Sequence, residues 1–434
     1  MVRYRRRHPE LSGRRVAPVR TGAIPCALFR EACRMNAAPA RSIRLLMFGW
    51  EYPPDITGGL GMACRGMTRG LAQVGGIEVA LALPRVSGNE DTRDIRLIAP
   101  PPEAVLRAIR IARRPEAYAR GSAMEWVRHY DRLAAHVVES AGEFDLIHAH
   151  DWLTAPAAMT ARALSGKPLL LHIHSTEHDR AGSGADPAIL AMEKEAMDAA
   201  DMIVAVSETT RRQIISRFGQ PAAKVHVVHN GIDAQESRVR QAPRQSTVSF
   251  VGRVTYQKGP LLFIEAAAKA LERRHDLRFV MAGDGDLLKA AKSLAKAKGL
   301  AGRIDFPGFL GKDDLGYLLE RSSVVVMPSR AEPFGLVALE AIEAGVPVIV
   351  AAHAGVAELL KHVVKVDPED TVALATAMVE VCADEAYADR LRTGSQAEIA
   401  TMTWASCADR LKSLYRTFLN PKTHEMRSKE LIDA

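Results

Sequence analysis

From Arg41 to about residue 233 the chain alternates short apolar runs with amphipathic segments of helical period, and from Thr247 it does so again. No other feature restricts the fold so tightly. Short apolar runs bounded by turn residues are strands buried on both faces, and a helix between consecutive strands returns the chain so that neighbours pair in parallel. The first set predicts strands over Ile43–Trp50, Glu78–Pro84, Asp145–His150, Pro168–His174, Met202–Ser207 and Val225–His229. Its helices are predicted over Gly61–Val74, Glu103–Ser140, Pro187–Ala199 and Glu208–Phe218. The second set predicts strands over Val248–Val254, Arg278–Gly283, Ile304–Gly308, Val324–Pro328 and Val346–Ala351. Helices follow at Pro260–Arg274, Leu287–Lys298, Asp313–Arg321 and Gly335–Ala344. The polar stretch Ala234–Ser246 has no hydrophobic period and reads as a linker. The expectation is α/β: one doubly wound domain over 41–235, a second over 246–384, and helices over 385–420 packing back across the junction. Two such sheets face a cleft lined by the carboxyl ends of their strands, where ligands bind.

The formal charge of +7 invites a nucleic-acid reading until it is located. Residues 1–40 hold nine arginines, no lysine and only Glu10 and Glu31, so the other 394 residues are neutral overall. Nucleic acid is therefore not an expected partner. The arginine-rich stretch lacks the apolar core of a signal peptide and reads as a disordered tail. Met35, just ahead of the first strand, offers an alternative start. Five scattered cysteines show neither metal spacing nor a paired framework, which points to a reducing compartment. No apolar run approaches the ~20 residues of a membrane span, and a cytoplasmic protein is expected.

The most informative motif is Glu332-Pro333-Phe334-Gly335-Leu336-Val337-Ala338-Leu339-Glu340. It places two carboxylates around a Pro-Phe-Gly turn that opens a helix, Glu332 in the entry loop and Glu340 about a turn and a half inside. Free N–H groups at a helix start suit a phosphate, and carboxylates accept from hydroxyls. A nucleotide sugar carries both groups. Arg253 and Lys258, after the first strand of the second set, can neutralise a diphosphate, one as a planar fork and one as a point charge. The turn Gly58-Gly59-Leu60-Gly61 lets backbone approach a phosphate closely; its spacing is neither a dinucleotide fingerprint nor a P-loop. Histidines gather at 148, 150, 172, 174 and 178. His172 and His174 share one face of a strand, but no third ligand at diagnostic spacing follows, so no metal is expected. A histidine at a strand end facing the cleft is better suited to binding a sugar. Asp284-Gly285-Asp286 is read as a turn.

Taken in order, several segments resemble the retaining GT-B glycosyltransferases of family 4 (group 1), close to the bacterial starch and glycogen synthase-like enzymes. They are Trp50-Glu51-Tyr52-Pro53-Pro54 with Gly58-Gly59-Leu60-Gly61, Ile147-His148-Ala149-His150-Asp151-Trp152, His174-Ser175-Thr176-Glu177, Val228-His229-Asn230-Gly231-Ile232-Asp233, Gly252-Arg253 with Gln257-Lys258-Gly259, Ala282-Gly283-Asp284-Gly285, and the E-x7-E run. The resemblance spans about residues 42–420 and implies two Rossmann-like domains. It implies His174 and Glu332 as the residues beside the transferred sugar, and Glu340 as the one holding the ribose. Arg253 and Lys258 would clamp the diphosphate. Gly58, Gly59, Gly283, Phe334, Gly335 and Leu336 would complete the nucleotide-sugar contacts. The glycogen-synthase branch carries a Lys before its Gly-Gly pair, where this chain has Ile56-Thr57. The expected reaction moves a hexose from a UDP- or ADP-glucose type donor to a carbohydrate hydroxyl with retention, without a metal or other cofactor. A GT-B phosphorylase, a nucleotide-sugar epimerase and a non-catalytic sugar-nucleotide or nucleic-acid-binding protein are the alternatives.

Overall fold

A computed structural model describes residues 41–54, 56, 58–103, 120–233 and 246–420. The arginine-rich stretch 1–40 and the linker 234–245 lie outside the described residues, as does 104–119 of the predicted long helix.

Among the described residues thirteen strands form two wholly parallel sheets. The first contains β1 (Ile43–Phe48), β2 (Ile77–Ala82), β3 (Arg96–Ile98), β4 (Leu146–His150), β5 (Leu169–Ile173), β6 (Met202–Ala205) and β7 (Val225–Val227), in the order β3-β2-β1-β4-β5-β6-β7. The second contains β8 (Thr247–Val251), β9 (Arg278–Ala282), β10 (Ile304–Gly308), β11 (Val324–Met327), β12 (Val348–Ala351) and β13 (Val364–Val366), ordered β10-β9-β8-β11-β12-β13. β4, β6, β11 and β12 are buried along their whole length. This is why they read as unbroken apolar runs: both faces are covered by helices.

In each sheet the strand order reverses once, between β1 and β4 and between β8 and β11. Loops leaving neighbouring strands at a reversal diverge to opposite faces and leave a crevice at the strands' carboxyl ends. Motif loops follow β1, β4, β8 and β11, the four strands that border the reversals, while His174 follows β5, residues 228–233 follow β7 and Gly283 follows β9.

The last helix among the described residues, Trp404–Leu419, crosses to the first sheet. Trp404, Cys407, Leu411, Tyr415 and Phe418 join a buried cluster with Leu45, Met47, Met67 and Leu71. Each such large apolar side chain, fully buried, stabilises by roughly 1.5–3 kcal/mol. The helix before it, Glu385–Ile399, stays with the second sheet, where Ala388 and Leu391 join the cluster of Leu374 and Met378 and Ile399 that of Leu339. Thr403 separates the two, its hydroxyl capping the Ser406 N–H at 3.1 Å.

Several elements depart from the pattern reading. The single helix expected over 103–140 is broken, with segments Arg120–Asp131 and Ala134–Ala141. Strands β3 and β13 are three residues each, too short to show a period. Helix Asp151–Ser165 carries Pro156 inside it, which reads from sequence as a stop. Helix Thr371–Ala383 is apolar nearly all round and has no stripe to reveal it.

Candidate functional site

A cleft of about 2340 Å³ lies between the two sheets. Among its lining residues are all eleven site residues expected from the sequence: Gly58, Gly59, His174, Arg253, Lys258, Gly283, Glu332, Phe334, Gly335, Leu336 and Glu340. Neighbouring strand ends bring them together, although up to 282 positions separate them in the chain.

The turn after β8 is a short 3-10 helix, Tyr256–Lys258, tied to the loop after β11. The Gln257 carbonyl accepts the Arg330 N–H at 2.9 Å. Lys258 therefore reaches Glu332, its ammonium donating to both carboxylate oxygens at 2.9 and 2.7 Å. The Ser329 hydroxyl donates to the same carboxylate at 2.9 Å. The sequence assigned Lys258 to a phosphate and Glu332 to a sugar; the fold makes them one unit. Arg253 lies open to the cleft, with one side-chain hydrogen bond among the described residues, Nη2 to Gln257 Oε1 at 3.0 Å. The surrounding walls and then the nearby Arg180 charge lower its pKa, and its remaining guanidinium N–H groups are available to an anion.

The Pro-Phe-Gly turn is held from behind. Gly355 N–H donates to the Glu332 carbonyl at 2.9 Å, and Val356 N–H to that of Phe334 at 2.8 Å. Gly335 precedes helix Leu336–Glu343 at φ +113, a left-handed conformation that a side chain would strain. Gly283, at φ +139, is tighter still: a Cβ there would come within 1.8 Å of the Gly252 carbonyl oxygen. Glu340 lines the cleft from this helix; burial first, then Glu343, raises its pKa. Gly59 comes from the facing sheet, and a Cβ on it would lie 3.9 Å from Leu336 Cδ1.

Sequence reasoning missed the inner wall. Asp151 opens its helix at φ +55, the only non-glycine at positive φ among the described residues, a cost that persists only where surroundings over-determine the conformation. Its carboxylate accepts the His174 N–H at 2.6 Å and the Ser175 N–H at 3.3 Å, so the end of β4 anchors the end of β5. Burial pushes its pKa up to about 7. Arg180 donates to Glu177 at 3.0 Å, Glu193 at 2.6 Å and the Ser175 carbonyl at 3.0 Å. Burial opposes its charge, and Glu193, Asp151 and Glu177 outweigh that. Glu51, 6% exposed, accepts the Gly61 N–H at 3.3 Å below the glycine turn. All four of the chain's tryptophans, Trp50, Trp126, Trp152 and Trp404, border the cleft. Tryptophan spacing carries no periodic signal, so only the fold reveals this wall.

His174 is partly exposed to the cleft, yet enclosed enough that burial holds its pKa down, at about 3. Behind it His148, His150 and His172 are wholly buried, and desolvation lowers the pKa of each.

Two doubly wound parallel sheets facing one cleft, with carboxylates and glycine turns at both strand reversals and the Arg253 and Lys258 cations at the second, define the GT-B architecture. The chain matches the models "Glycosyltransferase Family 4" over residues 57–236 and "Glycosyl transferases group 1" over 232–398. It is 30% identical over 404 residues to an uncharacterised glycosyltransferase of Methanocaldococcus jannaschii, covering 86% of this chain and 98% of that one. It is equally 30% identical over 404 residues to a glycogen synthase of Mycobacterium tuberculosis, covering 86% and 94%. Sucrose-phosphate synthase from Thermosynechococcus elongatus shares the fold, with a TM-score of 0.71 at 22% identity over 87% of this chain and 99% of that one. The chain belongs to the group 1, family 4 glycosyltransferases. Among its described residues no helix is long and apolar enough to cross a membrane.

Proposed function

We propose that the protein transfers a hexose from a nucleoside diphosphate sugar of the UDP- or ADP-glucose type to a hydroxyl of an α-glucan, with retention at the anomeric carbon, in the cytoplasm. The observation that carries this reading is the meeting of Arg253, Lys258, Glu332 and His174 in one cleft at the strand ends of both sheets. The acceptor oxygen bonds to the anomeric carbon as the bond from that carbon to the diphosphate breaks, and the acceptor proton passes to the departing phosphate oxygen. Negative charge grows on the diphosphate, so fixed cations lower the barrier there. Arg253 supplies an open fork, and Lys258 a point charge whose position Glu332 and Ser329 set. These side chains supply the charge that a metal would otherwise bring. His174 is neutral at working pH and serves the sugar by hydrogen bonding rather than by charge. Glu340 takes the ribose hydroxyls. The similarity to a glycogen synthase along nearly the full length of both chains supports the glucan acceptor.

The test is nucleotide release from UDP- and ADP-glucose, with and without a maltooligosaccharide acceptor, together with the anomeric proton coupling of the product. An α-linked product formed in excess EDTA is the expected result. A β-linked product would overturn retention, donor conversion without acceptor would make the protein an epimerase, and dependence on free phosphate would make it a phosphorylase. Donor binding without turnover would leave a sugar-nucleotide-binding protein. Loss of activity in EDTA, restored by a divalent cation, would overturn the metal-free clamp.

A further inference from the structure

β4 and β5 each place two histidines on one side of the first sheet, and the four rings form a two-by-two array. Along each strand the rings stack, with centroids 4.6 Å apart for His148 and His150 and 4.4 Å for His172 and His174. Across the strands nitrogens meet. His148 Nε2 lies 3.3 Å from His172 Nδ1, and His150 Nδ1 lies 2.9 Å from His174 Nε2. The corresponding centroids are 5.4 and 5.1 Å apart. Those distances exceed the nitrogen separations by 2.1 and 2.2 Å, the width of two ring radii, so each pair meets head-on in hydrogen-bonding geometry. His148, His150 and His172 do offer nitrogens within 4.8 Å of one another. Within that trio His148 Nε2 and His172 Nδ1 face each other, while His150 turns its Nδ1 to His174.

The rung that reaches the cleft has a determinate proton arrangement. His174 spends Nε2 on His150, so Nδ1 is the nitrogen left for a ligand. His150 is 0% exposed, and its Nε2 is buried without a partner. A neutral imidazole carries one proton. Placed on His150 Nε2, that proton would be a buried N–H with no acceptor, the rarest kind of unsatisfied group. Placed on Nδ1, it makes the bond to His174, whose own proton must then sit on Nδ1. The backbone at both ends is held: Thr154 Oγ1 accepts the His150 main-chain N–H at 2.7 Å, and Asp151 accepts the His174 main-chain N–H.

We propose that His150 is a positioning residue that locks His174 in its Nδ1–H tautomer, so that His174 presents a hydrogen-bond donor to an oxygen of the donor sugar. The tautomer stands on the array alone; its use toward the sugar rests on the function proposed above. Because desolvation keeps all four rings neutral, the tautomer rather than the charge decides what His174 offers.

The test begins with the unliganded wild-type protein, 15N-labelled at histidine, by long-range proton–nitrogen NMR. The expected pattern is a protonated Nδ1 and bare Nε2 on both His150 and His174. A His174 protonated at Nε2 overturns the proposal, whatever the enzyme's substrate. Kinetics address the use of the tautomer: His150→Leu should lower kcat by ~10- to 100-fold, the loss seen when a partner orienting a metal-bound histidine is removed, with donor KM little changed. His150→Asn, which keeps an N–H near the place of Nδ1, should recover most of that loss. Equal defects in both variants, or a defect confined to KM, would overturn the positioning role. If the leucine variant does not fold, the wild-type tautomer still decides the central claim.

Discussion

Four histidines held neutral at the end of one sheet, three of them wholly buried, should make the protein acid-sensitive in a way that one substitution can isolate. His172 is wholly buried, far from Arg253 and Lys258 in the chain, and its pKa is held well below the usual 6.5 by burial and then by its histidine neighbours. In the unfolded chain it titrates normally. Below pH 6.5 the unfolded state therefore binds a proton that the native state refuses, so stability rises with pH and is lost as pH falls through 6.5 toward the lower folded value. From pH 7.5 to 5.5 the unfolded site goes from about one-tenth to nine-tenths protonated, a loss of ~1.4 kcal/mol for this one residue. Four such histidines would lose ~5–6 kcal/mol. Asp151 works the other way: its pKa, raised from 3.8 to about 7, makes the native state hold a proton the unfolded state releases, returning ~2 kcal/mol over the same interval. A net loss of ~3–4 kcal/mol is large against the 5–15 kcal/mol of a typical domain. His172→Leu deletes one titrating site, so urea denaturation at the two pH values should show a loss ~1.4 kcal/mol smaller in the variant than in the wild type. Taking the difference between pH values cancels whatever the leucine does to packing. Equal pH-dependent losses in both proteins would refute the buried, neutral His172.

The clamp residues should separate by stability as well as by rate. Arg253→Ala and Lys258→Ala should each lower turnover by more than ~100-fold; only Lys258→Ala should also lower the melting temperature, because it strands the Glu332 carboxylate, 7% exposed, at a cost of ~1–3 kcal/mol. Normal rates in both, or identical thermal shifts, would contradict the pairing. For the two glutamates, Glu340→Gln should mainly raise donor KM and Glu332→Gln mainly lower kcat, since Glu332 fixes a cation whose value grows as the leaving group charges. Steady-state kinetics showing the reverse would mean that the nucleotide lies the other way along the helix Leu336–Glu343.

The sequence by itself determined the two runs of parallel strands, because strands covered on both faces must be continuously apolar, and it placed most strand ends within two or three residues. It also determined the glycine turns and the charged residues that follow strand ends, since strand-to-helix turns are local and their residue requirements are local too. Tertiary structure alone decided what those residues do to one another. Lys258 and Glu332 are 74 positions apart and pair only because β8 and β11 are neighbours at a strand reversal. Asp151 anchors His174 only because β4 lies beside β5. The edge strands β3 and β13 and the all-apolar helix Thr371–Ala383 escaped the pattern reading, because a period needs length and contrast to be visible. The histidines were conspicuous in the sequence as metal or sugar ligands. That His148 meets His172 and His150 meets His174, nitrogen to nitrogen, follows from the spacing between two parallel strands, a distance that no stretch of sequence contains.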